Sequence, residues 1–278
     1  MTARVKTCQI CKKPRLVHCR YCPRCNRLIG SHDMAAHAAA LKAAWSMEQD
    51  GFLCFLTGVK LEEIDIYDPF FLTYDHYLPK RKGTLVVCAS FANEMKTSLS
   101  GDEFWCIVME YDSFRKGAPF HKDVVDFLYW NMIAKPEPRP LAGRLPPGKA
   151  GSRRCPICNH ETTGYRRYCA RCQRKNPNLP GRAGAMKDSW CEEMQRFLDH
   201  YIGVELEEND LNDPYYMVFD HRIPGKKGDL VATSMLMNAM KGDLSDEEFD
   251  LMMAELARSR EGKPFNRDVI KFEYRNRG

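Results

Sequence analysis

The sequence predicts an α+β protein made of two tandem copies of one unit, and three observations support this fold class. Four cysteines with the spacing Cys-x2-Cys-x10-Cys-x2-Cys begin at Cys8, and the same spacing begins again at Cys155. Each cysteine segment precedes a stretch of helical composition and then two short runs rich in β-branched and aromatic residues. Each copy closes with an apolar pattern of helical spacing. Self-similarity over such a length indicates a duplicated unit.

The register of the repeat gives the expected domain boundaries. The cysteines repeat with an offset of 147, and later landmarks such as Trp45 and Trp190 repeat with an offset of 145. Between the copies lies a stretch rich in proline and glycine without apolar periodicity, which predicts an extended linker. The expected organisation is a pseudo-twofold monomer with a first zinc module (1–30), a first body (31–133), a linker (134–154), a second zinc module (155–182) and a second body (183–278).

The charge distribution points to a polyanionic partner. The net charge is only +5, but residues 1–30 contain eight Lys/Arg and no acid, and residues 139–187 contain twelve Lys/Arg and one acid. Basic segments of this kind favour nucleic acid, and we expect double-stranded DNA. No apolar run approaches membrane-span length, and the N-terminal residues lack a signal-peptide pattern. We therefore expect a cytoplasmic protein, nucleoid-associated or in the cytoplasm of a phage-infected host, without membrane contact.

The chain has thirteen cysteines, and in a reducing compartment, where disulfides are rare, so many cysteines favour metal sites over disulfides. Two Cys-x2-Cys pairs place four thiolates around one tetrahedral Zn²⁺. A closed set of four thiolates leaves no open coordination position, so the two zinc ions are expected to be structural. The predicted ligands are Cys8, Cys11, Cys22 and Cys25 in the first copy and Cys155, Cys158, Cys169 and Cys172 in the second.

The body of each copy is predicted as helix, hairpin and helix. A helix is expected over Ser31–Gln49, with Ser31 as N-cap, and its counterpart over Ala183–Tyr201. Two capping boxes, Ser100-x-x-Glu103 and Ser245-x-x-Glu248, open a later helix in each copy. The expected strands are Phe70–Tyr74 and Leu85–Cys88 in the first copy and Tyr215–Phe219 and Leu230–Thr233 in the second, each pair joined by a Lys/Gly turn.

An acidic residue followed by histidine closes the first strand of each hairpin, and an asparagine follows seventeen residues after the histidine. These residues are Asp75, His76 and Asn93 in the first copy and Asp220, His221 and Asn238 in the second. Carboxylate and amide oxygens suit a hard divalent cation. An imidazole exchanges its proton near neutral pH and suits a general base. Recurrence in both copies favours a site over an isolated structural histidine.

Lysines near each candidate site are expected to contact DNA phosphates. They are Lys80, Lys82 and Lys96 in the first copy and Lys226, Lys227 and Lys241 in the second.

The two copies resemble HNH (His-Me finger, ββα-metal) endonucleases. In the first copy the resemblance rests on Leu56–Val59, Tyr74-Asp75-His76-x-x-Pro79, Lys82-Gly83 and Asn93-x-x-Lys96 through Phe104. The second copy matches at Ile202–Val204, Phe219-Asp220-His221-x-x-Pro224, Lys227-Gly228 and Asn238-x-x-Lys241 through Phe249. A four-cysteine element beside such a core also resembles phage and intron-encoded homing enzymes and phage recombination endonucleases. The chain departs from the family in lacking a cysteine pair within the core.

The resemblance implies a Mg²⁺-dependent DNA endonuclease, with one Mg²⁺ or similar ion per copy held by the aspartate and the asparagine. It implies that His76 and His221 are the general bases. Two sites on one chain would cut both strands without dimerisation, and a homing-like sequence specificity is expected. Two alternatives remain open: a nuclease specific for junctions or branched DNA, and a zinc-dependent DNA-binding protein with inactive nuclease folds.

Overall fold

The computed structural model describes residues 6–30, 33–130, 153–162 and 166–272. The architecture is α+β, with helices and small antiparallel sheets. In the first half the elements are α1 (Pro23–Ile29), α2 (Met34–Ala44), β1 (Trp45–Ser46), β2 (Gly51–Phe52), β3 (Leu72–His76), β4 (Leu85–Ala89), α3 (Ser90–Lys96) and α4 (Gly101–Arg115). In the second half they are β5 (Arg153–Arg154), β6 (Glu161–Thr162), α5 (Ala170–Gln173), α6 (Arg182–Ser189), β7 (Trp190–Cys191), β8 (Arg196–Phe197), β9 (Met217–His221), β10 (Leu230–Ser234), α7 (Met235–Lys241) and α8 (Asp246–Arg260).

The chain divides into two compact units whose limits differ from the predicted domains. One unit contains Met1–Asp112 together with Asp250–Gly278, and the other contains Ser113–Phe249. The first unit is therefore assembled from two stretches that are distant in sequence. Most of the predicted linker, residues 134–152, lies outside the described residues, so the proposed boundaries there stay a prediction.

Each compact unit includes a stretch that comes from the other half of the sequence. In the first unit the ring of Phe70 meets Phe265 and Phe272 at centroid distances of 6.3 and 5.9 Å. In the second unit the hydroxyl of Tyr215, the counterpart of Phe70, donates to the carbonyl of Lys122 at 3.2 Å, and its ring meets Phe127. Burial of these aromatic side chains makes each returning stretch part of the core it joins.

The hairpins form close to where the sequence predicts them. Strands β3 and β4 pair antiparallel with Asp75 opposite Val86 and His76 opposite Leu85. Strands β9 and β10 pair in the same way, with Asp220 opposite Val231. Both first strands begin two residues later than predicted and run to the histidine. Each hairpin leads directly into a seven-residue helix, α3 or α7.

The predicted capping boxes are confirmed. Ser100 and Glu103 exchange hydrogen bonds between side chain and backbone at 2.6 and 3.2 Å, and α4 follows. Ser245 and Glu248 do the same at 2.9 and 3.2 Å before α8. Both helices bury an apolar stripe, which includes Phe104 in α4 and its counterpart Phe249 in α8. The reciprocal bonds satisfy amide groups that a helix start would otherwise leave unpaired.

The predicted long first helix of each body is shorter than expected. Helix α2 ends at Ala44 because Trp45 pairs with Phe52 in the β1–β2 ribbon. Helix α6 ends at Ser189 for the same reason, since Trp190 pairs with Phe197. The expected N-cap Ser31 lies outside the described residues, and Asp33 caps α2 by accepting from the amide of Ala36. Within the described residues, no helix combines the length and apolar character needed to cross a membrane.

Candidate metal and nucleic-acid site

Two buried clusters of four cysteines stand where the sequence predicts zinc. In each cluster the four Sγ atoms lie within 4.8 Å of one another. The clusters are Cys8, Cys11, Cys22 and Cys25, and Cys155, Cys158, Cys169 and Cys172.

The geometry of the clusters fits a tetrahedral ion. The Sγ atoms of Cys11 and Cys22 are 3.5 Å apart, and those of Cys158 and Cys169 are 3.4 Å apart. Four thiolates at about 2.3 Å from one Zn²⁺ would stand about 3.8 Å from each other, so these sets need only small adjustments. The eight cysteines can therefore hold two structural zinc ions.

An arginine inside each second cysteine pair ties the cysteine module to the body, and sequence reasoning did not identify it. Nε of Arg24 donates to Glu63 at 2.6 Å, and a second guanidinium nitrogen bonds the other carboxylate oxygen. Its guanidinium also covers the rings of Trp45 and Phe52. The partner, Glu63, is an acidic loop residue that the sequence alone would place in solvent. Only its contact with Arg24 in the structure shows that it holds the cysteine module to the body.

The second unit repeats this arrangement. Nε and a second guanidinium nitrogen of Arg171 both donate to the carboxylate of Glu208, and the guanidinium lies over Trp190 at 4.9 Å from the ring centroid. A bidentate arginine–carboxylate pair combines strong bonds with a fixed geometry. The signal available in the sequence is the matching Cys-x-Arg-Cys in both copies.

In the first unit Asp75 lies at the end of β3 with its side chain 11% exposed. Nζ of Lys96, in α3, stands 3.2 Å from Oδ2 of Asp75. The ammonium directs a hydrogen bond to the carbonyl of Leu99. Oδ2 itself is buried and accepts no hydrogen bond from the described residues. Burial raises the pKa of Asp75, and the charge of Lys96 opposes that rise.

The other two predicted members of the first site are Asn93, on α3, and His76, which follows Asp75 at the end of β3. Asn93 directs its amide nitrogen to Oγ1 of Thr73 at 3.3 Å and to the carbonyl of Tyr74 at 3.5 Å. Its amide therefore lies against β3, one or two residues from Asp75. His76 is exposed to solvent. Val87, which pairs with Tyr74 across the hairpin, is buried and apolar.

In the second unit Asp220 has more partners. Nζ of Lys241 lies 2.9 Å from Oδ2 of Asp220 and donates to the carbonyl of His221 at 2.8 Å. The hydroxyl of Tyr201 lies 3.0 Å from the same oxygen. The amide of His221 donates to Oδ1 at 2.8 Å. Both oxygens of this carboxylate are thus occupied, whereas the corresponding Asp75 keeps one buried oxygen without a hydrogen bond.

Asp246, the first residue of α8, extends this network. Oδ1 of Asp246 lies 2.8 Å from the hydroxyl of Tyr201, and Oδ2 lies 3.3 Å from Nε2 of His200. Arg222 approaches Asp246 at 3.4 Å. Burial alone would raise the pKa of Asp246, but the hydrogen bonds of His200 and Tyr201 and the charge of Lys241 hold it below its usual range.

The lysines predicted to contact phosphate fall into two groups. Lys80, Lys82, Lys226 and Lys227 are exposed on the hairpin turns. Lys96 and Lys241 are each only 1% exposed, and their ammonium groups face the aspartates. For the turn lysines, contact with phosphate stays a prediction. For the two buried lysines the observed role is to balance the charge of a carboxylate.

Comparisons with protein-family models, with curated proteins and with solved structures found no match, so the resemblance of the motifs to HNH endonucleases remains a hypothesis.

Proposed function

We propose that the protein is an HNH-type, Mg²⁺-dependent DNA endonuclease with one site in each copy. One observation carries the proposal. In both copies a partly buried aspartate and the histidine after it end the first strand of the hairpin, and an asparagine lies on the helix that follows. The strand–strand–helix order of each site is the order of a ββα-metal core. Duplication of such a core would explain both copies.

The donor set supports a hard cation in the first copy. The buried Oδ2 of Asp75 accepts no hydrogen bond within the described residues, and the Asn93 amide lies against the same strand, one or two residues from Asp75. Asp75 and Asn93 would hold Mg²⁺ in the first copy, and Asp220 and Asn238 would hold it in the second. When bound, Mg²⁺ supplies charge stabilisation for the scissile phosphate and the leaving 3′ oxygen.

The remaining chemistry belongs to the side chains. His76 and His221 would take the proton from the attacking water, and solvent exposure of His76 leaves that ring accessible to DNA. Cleavage would leave 5′-phosphate and 3′-hydroxyl ends, as the resemblance implies. Exposed turn lysines such as Lys82 and Lys227 would hold the phosphate backbone.

The zinc modules would add affinity for DNA. Their segments contain most of the excess basic charge, and charge of this density binds phosphates without sequence preference. Sequence-specific, homing-like cutting by a monomer is the form of the activity that we propose. Recognition of a long target would need contacts from more than one part of the chain, and the modules and hairpin turns of two copies offer them.

The test is cleavage of a supercoiled plasmid library with a randomised segment, in the presence of Mg²⁺. The zinc-loaded wild type is expected to give linear DNA. His76→Ala and His221→Ala are each expected to give nicked circles, and the double variant no product, because loss of a general base slows hydrolysis by about 10²–10⁴-fold. Each single variant serves as the control for the other.

The alternatives predict other results. Tight DNA binding without cleavage by the wild type would favour the inactive DNA-binding protein. Cutting of four-way junctions with the plasmid left intact would favour the structure-specific nuclease. If His76→Ala abolishes both cuts equally, the two sites do not act independently.

A further inference from the structure

The two aspartates that would hold the metal ions have different surroundings, and the differences occur at matched positions. Tyr201 stands where the first copy has Leu56, and Asp246 stands where it has Gly101. Neither Leu56 nor Gly101 can donate a side-chain hydrogen bond. The hydroxyl of Tyr201 is therefore an addition of the second copy, and it lies 3.0 Å from Oδ2 of Asp220.

The residue at the position of Gly101 and Asp246 depends on a neighbouring side chain that also differs between the copies. A Cβ atom at Gly101 would lie 1.9 Å from the ring of Tyr77, so an aspartate at this position would require that ring to move. In the second copy Arg222 replaces Tyr77 and approaches Asp246 at 3.4 Å. Each copy thus has its own compatible pair at this place, and the second pair positions Asp246 beside Tyr201.

We infer that Tyr201 and Lys241 hold Asp220 in a closed state, so that Asp75 is the stronger ligand for a divalent cation. This inference rests on the proposed function, because it concerns the same two sites. A cation approaching Asp220 must compete with an ammonium at 2.9 Å and a hydroxyl at 3.0 Å on one oxygen. A cation approaching Oδ2 of Asp75 also meets an ammonium, that of Lys96 at 3.2 Å, but it meets no hydroxyl there, so Tyr201 is the difference between the two sites.

The other charged groups around Tyr201 keep the closed state in place. Its hydroxyl has one proton and stands between Asp220 and Asp246, so it donates to one carboxylate at a time. Lys241 lies 3.8 Å from Asp246 as well as 2.9 Å from Asp220, so its charge balances both acids. His200 and Arg222 contact Oδ2, the other oxygen of the Asp246 carboxylate.

The consequence for the proposed reaction is an order of events. The strand that faces the first copy would be cut first, and the second copy would cut after Tyr201 has released Asp220. Tyr201 is thus a positioning residue that acts through Asp220. The enzyme would accumulate nicked circles before linear DNA.

The experiment is a Mn²⁺ titration of the zinc-loaded full chain without DNA, in which free Mn²⁺ is measured by electron paramagnetic resonance. We expect one tighter and one weaker site, separated by about tenfold in affinity, since hydrogen bonds to a charged group must be displaced at the second. Asp75→Asn should remove the tighter site, and Asp220→Asn the weaker one. Tyr201→Phe should tighten the weaker site about fivefold, because it removes the hydroxyl and keeps the packing against Phe249.

Tyr216→Phe removes a hydroxyl elsewhere in the same unit and is the matched control, with both affinities expected to stay unchanged. Equal affinities at the two sites, loss of the tighter site in Asp220→Asn, weaker binding in Tyr201→Phe, or no binding to either aspartate would each overturn the inference. Unequal binding together with failure to cut any DNA would leave the inference standing and refute the nuclease. Cleavage with two equal sites would do the reverse.

Discussion

The loop that precedes each hairpin is anchored by a different side chain in the two copies. In the second copy Asp199 is buried, and its carboxylate accepts from the amides of Tyr201 and Ser234 at 2.7 and 2.5 Å and from the hydroxyl of Thr233 at 3.1 Å. In the first copy Cys54 stands at this position, and its sulfur accepts from the amide of Ala89 at 3.3 Å. The anchor is thus a strong acceptor in the second copy and a weak one in the first.

The backbone around both anchors is nevertheless the same. Cys54 bonds Val59 and Gly58 through its amide and carbonyl, at 2.8 Å each. Asp199 bonds its counterparts Val204 and Gly203 in the same way, at 2.8 and 2.9 Å. The turn is thus fixed by main-chain bonds and by a glycine in the left-handed region, with φ of 67° in the first copy and 66° in the second. The side chain of the anchor can change provided that its neighbours change with it.

The pKa values follow the chemistry of each anchor. Burial raises the pKa of Asp199, although four donors stabilise its charged form. Burial also acts to raise the pKa of Cys54, but hydrogen bonds from Cys88, Thr57 and the amide of Ala89 lower it to about 6. Both pockets therefore direct several donors at the side chain of the anchor residue, and the comparison teaches that the pocket, more than the residue, is retained.

The largest expected effect would test whether the two copies depend equally on metal. Cys25→Ser and Cys172→Ser should each reduce the bound zinc from two ions to one. Each should destabilise its own unit by at least about 4 kcal/mol, because binding of a structural zinc ion contributes directly to folding. Metal analysis and thermal unfolding measure both effects. Cys106→Ser, an exposed cysteine outside both clusters, is the control. Loss of both ions from either single variant would show that the modules are not independent.

A smaller effect on the free energy of unfolding should distinguish the two loop anchors, Asp199 and Cys54. Asp199→Ala leaves several buried donors unpaired and should cost about 3 kcal/mol. Cys54→Ala leaves fewer and should cost about 1 kcal/mol. Urea unfolding of each variant gives the two free energies.

The double variant Asp199→Cys with Thr233→Cys recreates the first copy's pair and should lose less than Asp199→Ala. Equal losses from Asp199→Ala and Cys54→Ala would mean that the main chain alone holds the loop, and the anchors would then be interchangeable.

The sequence was sufficient for the parts of the fold that local patterns determine. The two cysteine clusters, the capping boxes and the hairpins depend on spacings of a few residues, and the structure confirms them. The helix ends were wrong because Trp45 and Trp190 pair in ribbons whose partners come later in the chain. The strand or helix propensity of neighbouring residues does not predict such a pairing, because the pairing depends on a partner strand elsewhere in the chain.

The rest depended on long-range packing. From the sequence, Lys96 and Lys241 are expected to be exposed cations at the ends of short helices. Both lysines are buried, and the aspartate beside each one explains why. The return of Phe265 to the core of Phe70 has no local signal, because the two residues are almost two hundred positions apart. The roles of the site residues toward Mg²⁺ and DNA remain predictions.

The smallest expected effect is the loss of stability at low pH that comes from Asp246, whose network of partners only the second copy has. The pKa of Asp246 is lowered below the usual value of an aspartate, which means that the folded state holds its proton less tightly than the unfolded state. Its contribution to stability is therefore fully present above about pH 4 and is lost as the pH falls through the lower, folded-state value. Asp246→Asn should cost about 1 kcal/mol at pH 7, because hydrogen bonds to a charged acceptor are weakened.

Since asparagine does not titrate, the difference between this variant and the wild type should shrink as the pH is lowered from 5 to 3. Thermal unfolding at intervals across that range measures it. Asp243→Asn, an exposed acid of the same unit, is the control and should change stability by less than about 0.5 kcal/mol throughout. A cost for Asp246→Asn that stays constant down to pH 3 would show that the carboxylate gains nothing from His200, Tyr201 and Lys241. The second copy would then be no more closed than the first.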